Sequence, residues 1–189
     1  MYPFLHEEAL RFQTPSVEPD VGEFLETFTM ALRPKSILEI GCGIGVSSYY
    51  MAKGSGGAKM TCIDRNEMRL EQARRICGEF PDANFINADG VEFMRDCKES
   101  FDMIFIDSMK RQYPIAYYYA EKLLNDGGFI VLDDMFMYGH VFDADCEIPK
   151  RYAGATTALR ELIAHIKNTT VCSVLPLTGG VVVAAKRKG

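Results

Sequence analysis

The chain has 189 residues, 48% of them hydrophobic, enough for one well-buried core and too few for two ordinary domains. A net charge of -5 argues against a protein whose main task is gripping nucleic acid, because that affinity comes largely from cationic neutralisation of phosphates; a local basic patch is still allowed. Six cysteines lie scattered with no Cys-x-x-Cys pair, the amino terminus is not signal-like, and apolar runs such as 181–185 fall far below the roughly 20 residues of a membrane helix, so a reduced, cytoplasmic, non-membrane domain is expected.

Residues 2–13 predict a short amphipathic helix with Phe4, Leu5, Ala9, Leu10 and Phe12 on its apolar side, broken by Pro15 and Pro19. Asp20 is placed to cap a second helix that runs to about Leu32, with Val21, Phe24, Leu25 and Phe28 at helical spacing and Pro34 closing it. Then strands and helices alternate: strand 36–40, helix 45–53, strand 59–63, helix 66–78, strand 83–87, helix 90–98, strand 101–106. Helix 112–124 follows, stopped by Asn125-Asp126-Gly127-Gly128, and then strand 129–132. Such alternation implies a parallel sheet with helices on both faces. The tail differs: a helix over 156–167 precedes strands at 170–175 and 180–185, joined by only Pro176-Leu177-Thr178-Gly179, which predicts a hairpin and one antiparallel strand. Residues 138–155 are the least patterned and read as a substrate lid, while the helices within 1–33 are expected to help form the cofactor and acceptor site.

In open parallel sheets ligands bind beyond the carboxyl ends of the strands, so the residues ending each strand carry the functional reading. The first strand enters Gly41-Cys42-Gly43-Ile44-Gly45, where glycines allow a sharp turn and close approach to a ligand, and the following helix points its N-terminus at the same place. A dinucleotide fingerprint would want glycine where Val46 stands, so a pyrophosphate reading loses ground. Asp64 and Asp89 end the second and third strands; a carboxylate there can take both hydroxyls of a ribose, the alternative for each being a helix cap. Asp107 ends the fourth strand and Asp133-Asp134 the fifth, in outline a divalent-metal site, or else the start of a turn. Three carboxylates suit a hard ion such as magnesium or manganese, whereas zinc would prefer histidine or cysteine. Lys110, three residues after Asp107, is a candidate general base or a solvated lysine at a helix start. Tyr113, Tyr117, Tyr118 and Tyr119 read as core or dimer packing with no catalytic role. Met135 to Tyr138 follow the paired aspartates and either line an acceptor pocket or pack beneath the lid.

The run Leu38-Glu39-Ile40-Gly41-Cys42-Gly43-Ile44-Gly45, with Asp64 and Asp89, resembles the S-adenosylmethionine site of class I methyltransferases. Phe105-Ile106-Asp107-Ser108-Met109-Lys110-Arg111-Gln112-Tyr113 and Val131-Leu132-Asp133-Asp134 resemble the metal-dependent O-methyltransferases, the group with catechol and caffeoyl-CoA enzymes and small bacterial members. The likeness covers roughly residues 15 to 187. It implies a Rossmann-like, mostly parallel seven-stranded sheet with a C-terminal antiparallel hairpin strand, and a homodimer. By position, Glu39 and the loop of Gly41, Gly43 and Gly45 would support the methionine portion, Ser47 its carboxylate, Asp64 the ribose and Asp89 the adenine edge, with Arg65, Gly90 and Asp107 alongside. Asp107, Asp133 and Asp134 would hold magnesium, or manganese or calcium, and Lys110 would be the base. The family usually has asparagine at Asp134; a third carboxylate would bind a dication more tightly and blunt its power to acidify a hydroxyl.

The resulting expectation is an S-adenosylmethionine-dependent O-methyltransferase that methylates a hydroxyl next to a second oxygen donor on a catechol-like small molecule. Lys110 would have to be neutral at working pH, its pKa lowered by the nearby dication. The alternatives are methylation of a hydroxyuridine in transfer RNA, against which the acidic charge weighs, and a non-catalytic S-adenosylmethionine-binding module. A dehydrogenase is the weakest reading.

Overall fold

The computed structural model describes residues 2–187. Its seven-stranded sheet runs in the order β3-β2-β1-β4-β5-β7-β6, formed by β1 (Ser36–Ile40), β2 (Lys59–Asp64), β3 (Ala83–Asn87), β4 (Phe101–Ile106), β5 (Leu124–Leu132), β6 (Val171–Leu175) and β7 (Val181–Ala185). Strands β1 to β5 pair in parallel, and β7 enters antiparallel between β5 and β6. The predicted hairpin is therefore present, with β7 as the single reversed strand. Strand order reverses between β1 and β4, which opens a crevice at their carboxyl ends.

Both faces of the sheet are covered, which is why its central strands are apolar at nearly every position. On one face Ile37, Met60, Met103, Phe105 and Val131 pack against α1 (Pro3–Arg11), α2 (Pro19–Leu32), α3 (Val46–Ser55) and α4 (Glu67–Ile76). On the other, Leu38, Ile40, Ile104, Ile106 and Leu132 pack against α5 (Gly90–Asp96), α6 (Tyr113–Leu123) and α7 (Lys150–Thr169). Alternate residues of one strand thus serve two separate cores, as the two-residue repeat of a strand demands. Among the described residues no helix is long and apolar enough to cross a membrane.

Three boundaries depart from the sequence expectation. Asp20 is not the cap of α2; Glu18 holds that position without a side-chain hydrogen bond, and the Asp20 carboxylate instead accepts from the Thr178 N–H at 2.8 Å and its hydroxyl at 3.0 Å. The stop at Asn125 to Gly128 survives inside a longer β5 that begins at Leu124: pairing with β4 shifts register between Leu124 and Phe129, Gly127 has a φ of +79°, and Asn125 donates its amide to Asp102 at 2.9 Å. Helix α7 starts at Lys150, so only the first part of the unpatterned segment is loop-like, with short 3-10 turns at Met137–Phe142 and Asp145–Glu147. Arg160 of α7 pins that segment by donating to the carbonyls of His140, Val141 and Asp143 and to the Asp145 carboxylate.

Candidate active site

The crevice at the strand-order reversal is a cavity of about 1390 Å³. The ends of β1 to β5 all reach it, through Gly41, Asp64, Asp89, Asp107 and Asp133. Continuation of the ladder past the strands sets this geometry: the Asp107 N–H donates to the Ile40 carbonyl at 2.9 Å and the Asp133 N–H to the Ile106 carbonyl at 3.1 Å. Each acid therefore sits one step beyond its neighbour strand's last apolar residue. The backbones here are so close that a β-carbon on Gly41, whose φ is +91°, would stand 1.8 Å from the Asp107 carbonyl oxygen.

On the loop side, Asp64 ties the turn down. One carboxylate oxygen accepts from the Gly43 N–H at 3.0 Å and the other from the Asn66 N–H at 2.8 Å. Asn66, rather than Asp64, caps α4, so the capping alternative fails for Asp64. For Asp89 it holds: one oxygen caps α5 through the Val91 and Glu92 N–H groups, while the other faces Arg65 at 3.7 Å, and Gly90 and Arg65 join it on the cavity wall. A cap that keeps one oxygen toward the cavity can still meet a ligand.

Glu39, Gly45 and Ser47 do not line the cavity. Glu39 is fully buried and accepts hydrogen bonds from the Ser47 and Ser48 hydroxyls at the start of α3. Burial pushes its carboxyl pKa up, against the hydroxyls that favour the anion, with Asp107 adding to the rise. These residues brace the loop from behind, and the Ser47 hydroxyl is spent on Glu39 rather than aimed at the crevice.

On the acidic side, Lys110 is the hub. Its ammonium lies 3.0 Å from Asp107 Oδ1 and 3.4 Å from Asp134 Oδ2, and donates to the Tyr113 hydroxyl at 2.8 Å. Burial disfavours a charged lysine, but Tyr113, Asp107 and Asp134 outweigh it and hold its pKa above the ordinary lysine value. With protein groups alone the charged form of Lys110 is favoured, and the neutral base expected from sequence would depend on the charge of a dication beside it. Asp133 is 4% exposed, and its carboxyl is pushed up to about 8, first by burial and then by the Asp107 and Asp134 charges. Asp134 sits on a left-handed turn with φ of +55° and its side chain is 57% exposed.

These all-oxygen donors suit a hard dication by chemistry, and even with Asp133 protonated the Asp107 and Asp134 carboxylates outnumber the one ammonium. The expected cage is not assembled, however: among the described residues no group of three or more histidine, cysteine, aspartate or glutamate side chains is arranged to hold a metal ion. Asp107 and Asp134 are instead paired with the Lys110 ammonium, and Asp133 Oδ1 accepts from the Asp134 N–H at 2.7 Å.

Sequence reasoning missed several residues of this site. Tyr113, given no role, is fully buried and bonded to Lys110. Its spacing of three from Lys110, across one helical turn, was the available signal. Thr178 and Gly179 reach the cavity from the β6–β7 turn, and His6 from α1, contacts between distant segments that no local pattern encodes.

A doubly covered sheet of this order, with a glycine loop and strand-end acids at its switch point, defines the Rossmann-like methyltransferase fold. The chain belongs to the O-methyltransferase family, whose profile matches residues 6–187. A Mycobacterium sp. (strain JLS) protein provisionally named an O-methyltransferase is 29% identical over 95% of this chain and 83% of its own length. In fold, the chain is similar to a Staphylococcus aureus protein provisionally described as a caffeoyl-CoA O-methyltransferase, with a TM-score of 0.87 at 23% identity over 97% of this chain and 91% of that one. It is also similar to the Bacillus cereus O-methyltransferase solved in complex with SAH, with a TM-score of 0.81 at 22% identity over 98% and 90% of the two chains.

Proposed function

We propose that the chain transfers a methyl group from S-adenosylmethionine to a hydroxyl that lies beside a second oxygen donor on a small molecule, with the help of a divalent cation. The observation that carries this reading is the sharing of one cavity by two unlike walls: the Asp64 and Asp89 wall, suited to a nucleoside, and the Asp107-Lys110-Asp133-Asp134 wall, suited to an acceptor oxygen. At about 1390 Å³ the cavity exceeds the roughly 300–1,000 Å³ of a single-ligand site, which fits two reactants side by side. The family membership supports methyl transfer to oxygen, and the B. cereus relative binds SAH, the demethylated donor.

In this mechanism Asp64 and Asp89 hold and orient the nucleoside of the donor, and Gly41 and Gly43 let the backbone approach it. Asp107, Asp133 and Asp134 would hold magnesium or manganese, which when bound supplies positive charge that stabilises an acceptor oxyanion and competes with Lys110 for their carboxylates. Lys110, after giving up one ammonium proton to solvent, would accept the proton of the acceptor hydroxyl at Nζ and so return to its charged form. The oxygen then forms a bond to the methyl carbon as the carbon–sulfur bond breaks, and the sulfonium becomes a neutral thioether. Alignment of the two reactants can supply up to roughly 7–11 kcal/mol of such a barrier. The net charge of -5 favours a small hydroxylated acceptor over RNA.

Titration calorimetry with S-adenosylmethionine tests the donor half of this reading. Saturable binding that Asp64→Ala weakens at least tenfold is expected; equal binding by the variant, or none by the parent, would remove the cavity's nucleoside role.

A further inference from the structure

Tyr113 is one of the few fully buried hydroxyls in the molecule, and its surroundings leave it a single bonding pattern. The phenol oxygen lies 2.8 Å from the Asp133 carbonyl and 3.2 Å from the Ile106 carbonyl, both of which only accept, so its one proton is committed to them. It lies 2.8 Å from Lys110 Nζ as well, and toward that atom it has only a lone pair to offer. Turning the proton toward Lys110 would point it at an ammonium that has only N–H bonds to offer, and would give up the 2.8 Å bond to the Asp133 carbonyl, which otherwise has only a 3.5 Å contact from Lys110 Nζ. The Lys110 ammonium meanwhile sits 4.7 Å from the centre of the Tyr113 ring, so ring and hydroxyl confine it together.

We infer that Tyr113 is a positioning residue whose hydroxyl orients the Lys110 amine, holding one N–H inward so that the other positions on the nitrogen face Asp107, Asp134 and the cavity, with N–H groups toward the two carboxylates. A lysine carries four flexible carbons and would otherwise sample many directions. Here one of its N–H bonds is tied to a group that is itself fixed to the ends of β4 and β5, the same strand ends that place Asp107 and Asp133. Base and acids are thereby held in one register. Removal of the hydroxyl leaves all three acids and the lysine in the chain but frees the amine to rotate.

This inference rests on the reading of Lys110 as the base, and Tyr113→Phe tests it with two readouts. The first needs no turnover: in protein labelled with nitrogen-15 at lysine, the Lys110 ammonium should give a slowly exchanging NMR signal at low temperature in the parent, and Tyr113→Phe should broaden or erase it while the melting temperature stays within a few degrees. The second is kinetic: kcat should fall about 10- to 100-fold with KM for S-adenosylmethionine within twofold of the parent. A folded variant that keeps the signal and kcat overturns the assignment, and so does a loss of kcat matched by a comparable rise in KM, which would mark a general structural defect. Should the parent methylate no acceptor, the proposed function fails, and the NMR signal alone decides the role of Tyr113. Tyr113→Leu, which also removes the ring, should lower the melting temperature and separates packing from orientation.

Discussion

Gly41 and Asp107 touch through their backbones: a β-carbon on the glycine would fall 1.8 Å from the aspartate's carbonyl oxygen, and the glycine's φ of +91° already disfavours any side chain. Gly41→Ala must therefore part β1 from β4 at the switch point. The expected cost is about 3 kcal/mol or more, in the range reserved for strain at special backbone positions, together with loss of donor binding. Urea unfolding and calorimetry measure both, and parental stability in the variant would mean that the strand ends can separate freely.

Asp20 and Thr178 form the strap between α2 and the β6–β7 turn. Asp20→Ala should cost about 1–2 kcal/mol for two lost hydrogen bonds to a partly exposed carboxylate. Because Gly179, next in sequence, crowds Asp134, hydrogen exchange should rise at both 177–180 and 134–136, where the Phe136 N–H donates to the Gly179 carbonyl. Faster exchange at 177–180 alone would show that the strap does not reach the acidic wall.

Much of this architecture could be read before any coordinates, for a physical reason. Strands 36–40, 83–87 and 101–106 have the predicted limits because each is a short pairing run followed within two residues by a glycine or an acid (Gly41, Asp89, Asp107), signals local to the strand. The acids at 64, 89, 107 and 133 could be placed at one edge because parallel pairing brings every strand end to the same side. What could not be read depends on partners far along the chain: Asp20 on Thr178, Asn125 on Asp102, and the extension of α7 back to Lys150, seated over the segment that Arg160 holds. Tyr113 is the instructive case, since a tyrosine on an apolar helix face reads as packing unless its hydroxyl's neighbours are known.

Asp133 sets the expected response to pH in the presence of chelator. Its folded pKa is raised, to about 8, so the stability it lends is fully present below the ordinary carboxylate pKa and is lost as pH climbs toward 8. The slope is at most about 1.4 kcal/mol per pH unit for one such group. Urea unfolding from pH 5 to 8 should show the parent losing stability while Asp133→Asn stays nearly flat, and magnesium should rescue the parent more at pH 8 than at pH 5. Parallel profiles for the two proteins would show that Asp133 is not protonated in the folded chain.

Lys110→Met removes the amine and keeps most of the side chain's bulk. Methyl transfer should drop by roughly 10²–10⁴, the usual contribution of a general base, while S-adenosylmethionine binding changes less than threefold. A variant with more than half the parental rate would show that the acceptor loses its proton to another group.

The central claim is that acid wall and nucleoside wall act on one reaction assisted by a dication. Its most direct measurement is the rate of labelled methyl transfer from S-adenosylmethionine to a vicinal diol such as catechol, with magnesium and then with excess chelator. Rapid transfer that the chelator abolishes and fresh magnesium restores is the predicted result. An unchanged rate in chelator, with the label on the same oxygen, would contradict it.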